Sequence, residues 1–300
     1  MRLKDTIIGN ERVAEMLEKN CQTSKLSHAY LFEGSEHIGK RTLALKFCEL
    51  VLNNSKKNIL ENPDLMILSP SDSDKQITVE KIRELEKILG LSPYYSKYKI
   101  AVIEQAEKMN KAAANALLKT LEEPSKTTIL ILLSSNSKNV LDTIKSRCQR
   151  IKFLPVKKSL LEKFLKNKVS EKSEAEKIIE ISGYQPGRIV EFLKHKEKND
   201  TAVEDINRFS TIIEKSENDK INEAEIISKN ETSDIVNMLD LWIIYCRKLL
   251  VKKYETYDSN EKKYLAETVA RINLINKTKE NILSKNVNIR LALENLILQM

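Results

Sequence analysis

Residues 99–150 read KIAVIEQAEKMNKAAANALLKTLEEPSKTTILILLSSNSKNVLDTIKSRCQR, and their periodicities decide the fold class. Two runs, IAVI at 100–103 and ILILL at 129–133, are short, aliphatic and uninterrupted. Strands buried on both faces of a sheet have that pattern. Between the runs, Met109, Ala113, Leu117 and Leu121 recur every fourth residue and draw one apolar stripe along a helix. Pro124 stops that helix. Strand, helix and strand within about 35 residues predict a βαβ unit with a right-handed crossover. Each run ends in polar residues, Glu104-Gln105 and Ser134-Ser135-Asn136. In open α/β sheets such strand ends line the binding crevice. The stretch closes on Ser146-Arg147-Cys148, ahead of a third short strand at 151–153.

Upstream, Asn10 has the chemistry of a helix cap, and Val13, Met16, Leu17, Asn20 and Cys21 follow at helical spacing, so a first helix is expected over 10–24. A short strand at 29–32 leads into GSEHIGKR, residues 34–41. Gly34, Gly39 and Lys40 fit the phosphate-loop spacing G-x-x-x-x-G-K. The glycines let backbone N–H groups turn inward around phosphate oxygens, and the lysine reaches the outer phosphates. The next position needs a hydroxyl for Mg²⁺, and here it is Arg41. Thr42 comes one residue late and points roughly 100° round the helix. The loop precedes a helix with an apolar face of Ala44, Phe47, Cys48, Val51 and Leu52. That context predicts a phosphate-loop fold. Whether the loop holds nucleotide or is a retained structural turn stays open.

Residues 53–63 and 69–76 read as polar loops around a strand at 65–68, and Thr78 to Gly90 as a capped helix. From Pro155 the pattern is wholly helical. Leu160, Leu161, Phe164 and Leu165 form one face; Ala175, Ile178, Ile179 and Ile181 form another; Pro186 opens a third helix with Ile189, Val190 and Leu193 inward. Residues 195–200 are charged and read as a linker. The last hundred residues are helical and hold the only tryptophan, Trp242.

LLKTLEEP at 117–124, SSN at 134–136 and SRCQ at 146–149 together resemble the AAA+ core of bacterial DNA polymerase III clamp-loader subunits. The resemblance spans residues 27–188. It implies an α/β P-loop AAA+ domain with a parallel sheet at 1–154, a small helical lid at 155–200, and an all-α C-terminal collar at 201–300. In an active member, Asp-Glu would follow the strand at 100–103, the Asp ordering Mg²⁺ and the Glu polarising water. Here the pair is Glu104-Gln105, and an amide accepts no proton at neutral pH. With Arg41, two parts of the hydrolytic machine are altered. The expectation is a clamp-loader subunit that hydrolyses no ATP itself. By resemblance Asn136 is sensor 1, or else it caps the turn it opens. Arg188 is the sensor-2 arginine, or else it packs and pairs charges. Arg147 is an arginine finger given in trans to the ATP-Mg of a neighbour, or else a surface salt-bridge residue. Arginine suits the finger role because it is always charged and presents a fixed fork of donors. The implied partners are the ATPase subunits and the clamp-opening subunit of a hetero-pentamer, the sliding clamp and, more weakly, primed DNA. The alternatives are an active motor subunit of such a loader and, more distantly, another P-loop enzyme such as a nucleotide kinase. Arg41 and Gln105 speak against the first, LLKTLEEP and the helical last third against the second.

Many members of that family carry a four-cysteine zinc module near residues 48–64, and this chain has no cysteine between Cys48 and Cys148. No zinc and no required cofactor are expected. The four scattered cysteines suit a reducing cytosol, and Cys148 reads as a small packed residue. No apolar run is long enough for a bilayer, and the charged N-terminus is no secretory signal, so a cytoplasmic protein without membrane contact is expected. A net charge of +8 permits nucleic-acid contact, and equally reflects a Lys-rich composition with solvated lysines.

Overall fold

The computed structural model describes residues 2–53, 58–70, 76–255, 262–283 and 287–300. Residues 54–57 and 71–75, within the two polar loops expected from the sequence, lie outside that set. The chain divides into two compact units, Met1–Leu161 and Glu162–Met300.

The first unit is built on five parallel strands: β1 (Ala29–Glu33), β2 (Leu65–Leu68), β3 (Lys99–Ile103), β4 (Thr128–Ser134) and β5 (Gln149–Lys152). Their order is β2-β3-β4-β1-β5. The helices are α1 (Glu11–Gln22), α2 (Lys40–Val51), α3 (Val79–Leu89), α4 (Lys111–Glu122) and the short α5 (Asp142–Lys145). Alternate strand residues feed two cores. Tyr30, Phe32, Ile100, Val102, Ile129 and Ile131 pack with Leu17, Leu43 and Phe47 of α1 and α2. Leu31, Ala101, Ile103, Leu130 and Leu132 pack with Ile82, Leu85, Leu117, Leu121 and Ile144 of α3, α4 and α5. Both faces of the central strands are therefore dry, which is why β3 and β4 carry the unbroken aliphatic runs at 100–103 and 129–133. The chain leaves β1 for β2 at one edge and leaves β4 for β5 at the other. The crevice required by such a switch opens between the C-terminal ends of β1 and β4, where the Gly34 N–H donates to the Ser134 carbonyl at 3.2 Å.

Several local expectations need correction. Asn10 does not cap α1 with its side chain; it sits at φ 55°. Its amide instead holds Leu154 at both backbone groups, donating to the carbonyl at 3.1 Å and accepting the N–H at 2.8 Å. A left-handed backbone turns that side chain away from the helix. Met109 precedes α4 rather than lying in it, and Asn110 is the cap, accepting the Ala113 N–H at 2.8 Å. Gly90 ends α3 with right-handed geometry, φ −70°.

The second unit is helical. The chain runs through α6 (Lys158–Leu165), α7 (Lys172–Ile181), α8 (Pro186–Lys194), α9 (Lys196–Glu214), α10 (Glu217–Ser228), α11 (Thr232–Glu255), α12 (Lys262–Leu283) and α13 (Ile289–Leu298). The inward face of α8 is Pro186, Arg188, Ile189 and Phe192, with Val190 and Leu193 only half-buried. Residues 196–200 are not a linker but the first turn of α9; charged residues make an acceptable solvent face, and Lys198 reaches back to Glu191 on α8. Phe209, Leu239, Trp242, Ile243, Leu293 and Leu296 form the core. The Trp242 indole donates to the Asp205 carbonyl at 2.9 Å.

Ahead of β2, the carboxylate of fully buried Asp64 accepts the N–H groups of Tyr94, Tyr95 and Ser96 at 2.6, 2.9 and 2.9 Å. Burial works to raise its pKa, but the three donors outweigh it and hold the carboxyl below its ordinary value. This pins the loop entering β3. Asp64→Ala leaves those donors without the carboxylate and is expected to destabilise the chain by about 2–4 kcal/mol, read from denaturant unfolding; a loss within about 0.5 kcal/mol would show that the loop holds without it.

Candidate functional site

The phosphate-type loop joins β1 to α2. Gly34 has φ 156°, and a Cβ there would stand 2.9 Å from both the Phe153 Cβ and carbonyl oxygen. Gly39 has φ 101° and begins α2 with no side-chain cap. Both positions require glycine, one for space and both for conformation. Lys40 is buried, and its ammonium donates to the carbonyls of Gly34 and Ser35, each at 2.6 Å. Burial lowers its pKa from 10.5 to about 8, against the pull of Glu107 and Glu36.

One departure noted in the sequence, Arg41, is paired here with the residue that precedes the other, Gln105. The Arg41 Nε donates to Glu104 Oε1 at 2.5 Å. The other carboxylate oxygen of Glu104 accepts the Ser69 hydroxyl at 3.0 Å. Arg41 stands in the position of the metal-binding hydroxyl and Glu104 in that of the metal-ordering carboxylate. Mg²⁺ demands oxygen ligands in near-octahedral array. Arg41 supplies none, and Glu104 is committed to a guanidinium and a hydroxyl. These residues do not fit Mg²⁺. Gln105 follows at φ 52°. Among the described residues no group of His, Cys, Asp and Glu is arranged to hold a metal ion.

At the end of β4, Ser135 donates its N–H and hydroxyl to Glu107 Oε1 at 3.1 and 2.5 Å. Asn136 is exposed, and its side chain accepts the Lys138 N–H at 3.3 Å, capping the 3₁₀ turn at Ser137–Asn139. The crevice thus gathers Gly34, Gly39, Lys40, Arg41, Glu104 and the 134–136 loop.

Arg147 is not among them. It follows α5 and precedes β5, whose Gln149 lies beside Tyr30 near the start of β1. The phosphate loop follows the other end of β1. Arg147 therefore lies at the strand-start end of the sheet, opposite its own chain's loop. It is half-exposed; one terminal nitrogen reaches Glu122 Oε1 at 2.7 Å, and the other donates to the Thr143 carbonyl at 3.0 Å and the Ser146 hydroxyl at 3.3 Å. Arg188 is buried in the second unit, 3.8 Å from the Asp240 carboxylate, which also takes Lys279 at 2.6 Å. Burial pushes the Cys148 thiol up to about 12, so it is no nucleophile.

Sequence reasoning missed a bidentate pair beside the loop. Arg150 donates to both oxygens of Glu33, at 2.5 and 3.0 Å, and this holds the Glu33 carboxyl below its ordinary range. The partners lie 117 residues apart, and no local pattern signals them.

Residues 9–157 match the model of the family described as DNA polymerase III, delta subunit. Through that segment the chain belongs to this family. It is 34% identical over 165 residues to the DNA polymerase III subunit delta' of Bacillus subtilis, covering 50% of this chain and 49% of that one. It is 35% identical over 182 residues to the subunit delta' of Pseudomonas aeruginosa, covering 53% and 54%. The chain spans about half the length of these curated relatives. A gamma subunit-related DNA polymerase III protein from Thermotoga maritima shares the fold, with a TM-score of 0.54 at 20% identity over 94% of this chain and 97% of that one. The architecture is thus an AAA+ type α/β domain with a parallel sheet, followed by a helical C-terminal part.

Within this delta-type domain Lys40 titrates unusually. Between about pH 8 and 10.5 the unfolded chain carries the Lys40 proton more fully than the folded chain. The stability contributed by this group therefore rises with pH across that window and is flat below it. The unfolding free energy of wild type relative to Lys40→Met should accordingly grow from pH 8 to pH 10 in denaturant melts. A difference that does not change with pH would contradict the buried, depressed lysine.

Proposed function

We propose that this chain is an ATPase-inactive, delta'-like subunit of a DNA polymerase III clamp loader that gives Arg147 to the ATP site of a neighbouring subunit. The observation carrying the first half is the Arg41–Glu104 pair, which joins the two positions a metal-dependent ATPase needs for Mg²⁺. Gln105, where the base would stand, supports it. The second half rests on placement. A half-exposed arginine at the far end of the sheet is out of reach of its own phosphate loop, so a phosphoryl group it serves belongs to another chain. Its planar fork matches the oxygens over which charge spreads during phosphoryl transfer.

The partners that follow are the loader's ATPase and clamp-opening subunits, the sliding clamp and, more weakly, primed DNA, in the cytoplasm. Residues 201–300 take the oligomerisation role. The names of the relatives, subunits delta' of DNA polymerase III, support this assignment over an unrelated P-loop enzyme. No required cofactor and no zinc belong to this reading, and Asn136 and Arg188 act in it through the turn and the charge pair they already make.

Arginine fingers are worth roughly 10³ to 10⁵ in rate in GTPase systems. Only one of several sites in a loader would lose its finger, so total turnover falls less. In complexes reconstituted with the cognate subunits, Arg147→Ala should leave assembly intact and lower DNA- and clamp-stimulated ATP hydrolysis by far less than that range, about twofold where one of two contributing sites is lost. Arg147→Lys should restore little, lacking the fork. Undiminished hydrolysis with the alanine variant would reduce Arg147 to a surface ion-pair residue.

A further inference from the structure

We propose that Glu122 is the positioning residue for Arg147: its carboxylate fixes the guanidinium in the orientation from which it serves the neighbouring site. This rests on the reading of Arg147 as a residue given in trans. Arg147 hangs from α5, a helix of only four residues. Two of its three acceptors, the Thr143 carbonyl and the Ser146 hydroxyl, belong to that same turn and move with it. Glu122 Oε1, 2.7 Å from the terminal nitrogen, is the acceptor from a different element, the last residue of α4. Leu121 beside it is buried with Ile144 of α5 in one cluster, so α4 offers a fixed frame.

The pair does little for stability, because both side chains are substantially exposed, 36% and 51%. Its consequence is geometric. Of the five N–H donors on the guanidinium, three are engaged by Glu122, Thr143 and Ser146, and the others stay available to an external oxyanion. Holding the fork in one orientation removes the entropy of finding it at each turnover. The spacing of the LEEP and SRC motifs in the sequence also acquires a reason: each supplies one partner of this contact.

The test uses reconstituted complexes carrying wild type, Glu122→Ala, Glu122→Gln, Arg147→Ala or the Glu122→Ala/Arg147→Ala double variant. We expect Glu122→Ala to lower kcat for stimulated ATP hydrolysis about twofold, with KM for ATP unchanged, as for an interaction made in the transition state. Glu122→Gln, which keeps the acceptor oxygen, should recover most of the loss. In the Arg147→Ala background, Glu122→Ala should cost nothing further. An unchanged kcat with Glu122→Ala, or an equal loss in both backgrounds, overturns the positioning role while leaving Arg147 in place. If Arg147→Ala itself costs nothing, the trans reading fails and this role falls with it.

Discussion

The Arg41–Glu104 ion pair governs how the rest of this domain is read. It ties the first turn of α2 to the end of β3, and through Ser69 to the end of β2. A P-loop ATPase uses that place for a divalent cation between a hydroxyl and a carboxylate. Here a cation and an anion of the chain itself meet there, with Glu104 mostly shielded from solvent. The charge is balanced inside the protein, and both oxygens of the Glu104 carboxylate are already engaged by Arg41 and Ser69. Lys40 follows the same logic, with its ammonium spent on two carbonyls of the loop. The glycines keep the loop's shape while the chemistry around it has turned inward.

The sheet separates this closed crevice from the open arginine. Strands rise about 3.3 Å per residue, so the five residues of β1 set roughly 16 Å between the loop after it and the layer where Arg147 sits. One domain thus carries a crevice unsuited to metal-dependent chemistry at one end and a tethered guanidinium at the other. That division is the one on which the proposed role of Arg147 rests.

Much of this was legible in the sequence because it has a local period. Strands buried on both faces announce themselves as unbroken aliphatic runs, as β3 and β4 do, and the five strands lie within a residue or two of the bounds expected from the sequence. The loop glycines were legible because only glycine tolerates φ 101° without strain. What stayed hidden depends on residues far apart in the chain. Arg41 and Gln105 each read as a lost catalytic group, yet nothing local shows that Arg41 bonds Glu104 across 63 positions. Glu33 with Arg150, Asn10 with Leu154, and Asp64 with the 94–96 backbone are of the same kind. The charged stretch at 196–200 misled because charge density marks solvent exposure, and a helix face is as exposed as a linker.

The most direct test of this account is phosphate release by the purified chain alone, with ATP and Mg²⁺ supplied in excess. The account predicts no turnover above buffer. Steady release that disappears on Lys40→Ala would contradict it, and would mean that the Arg41–Glu104 pair opens to admit the metal.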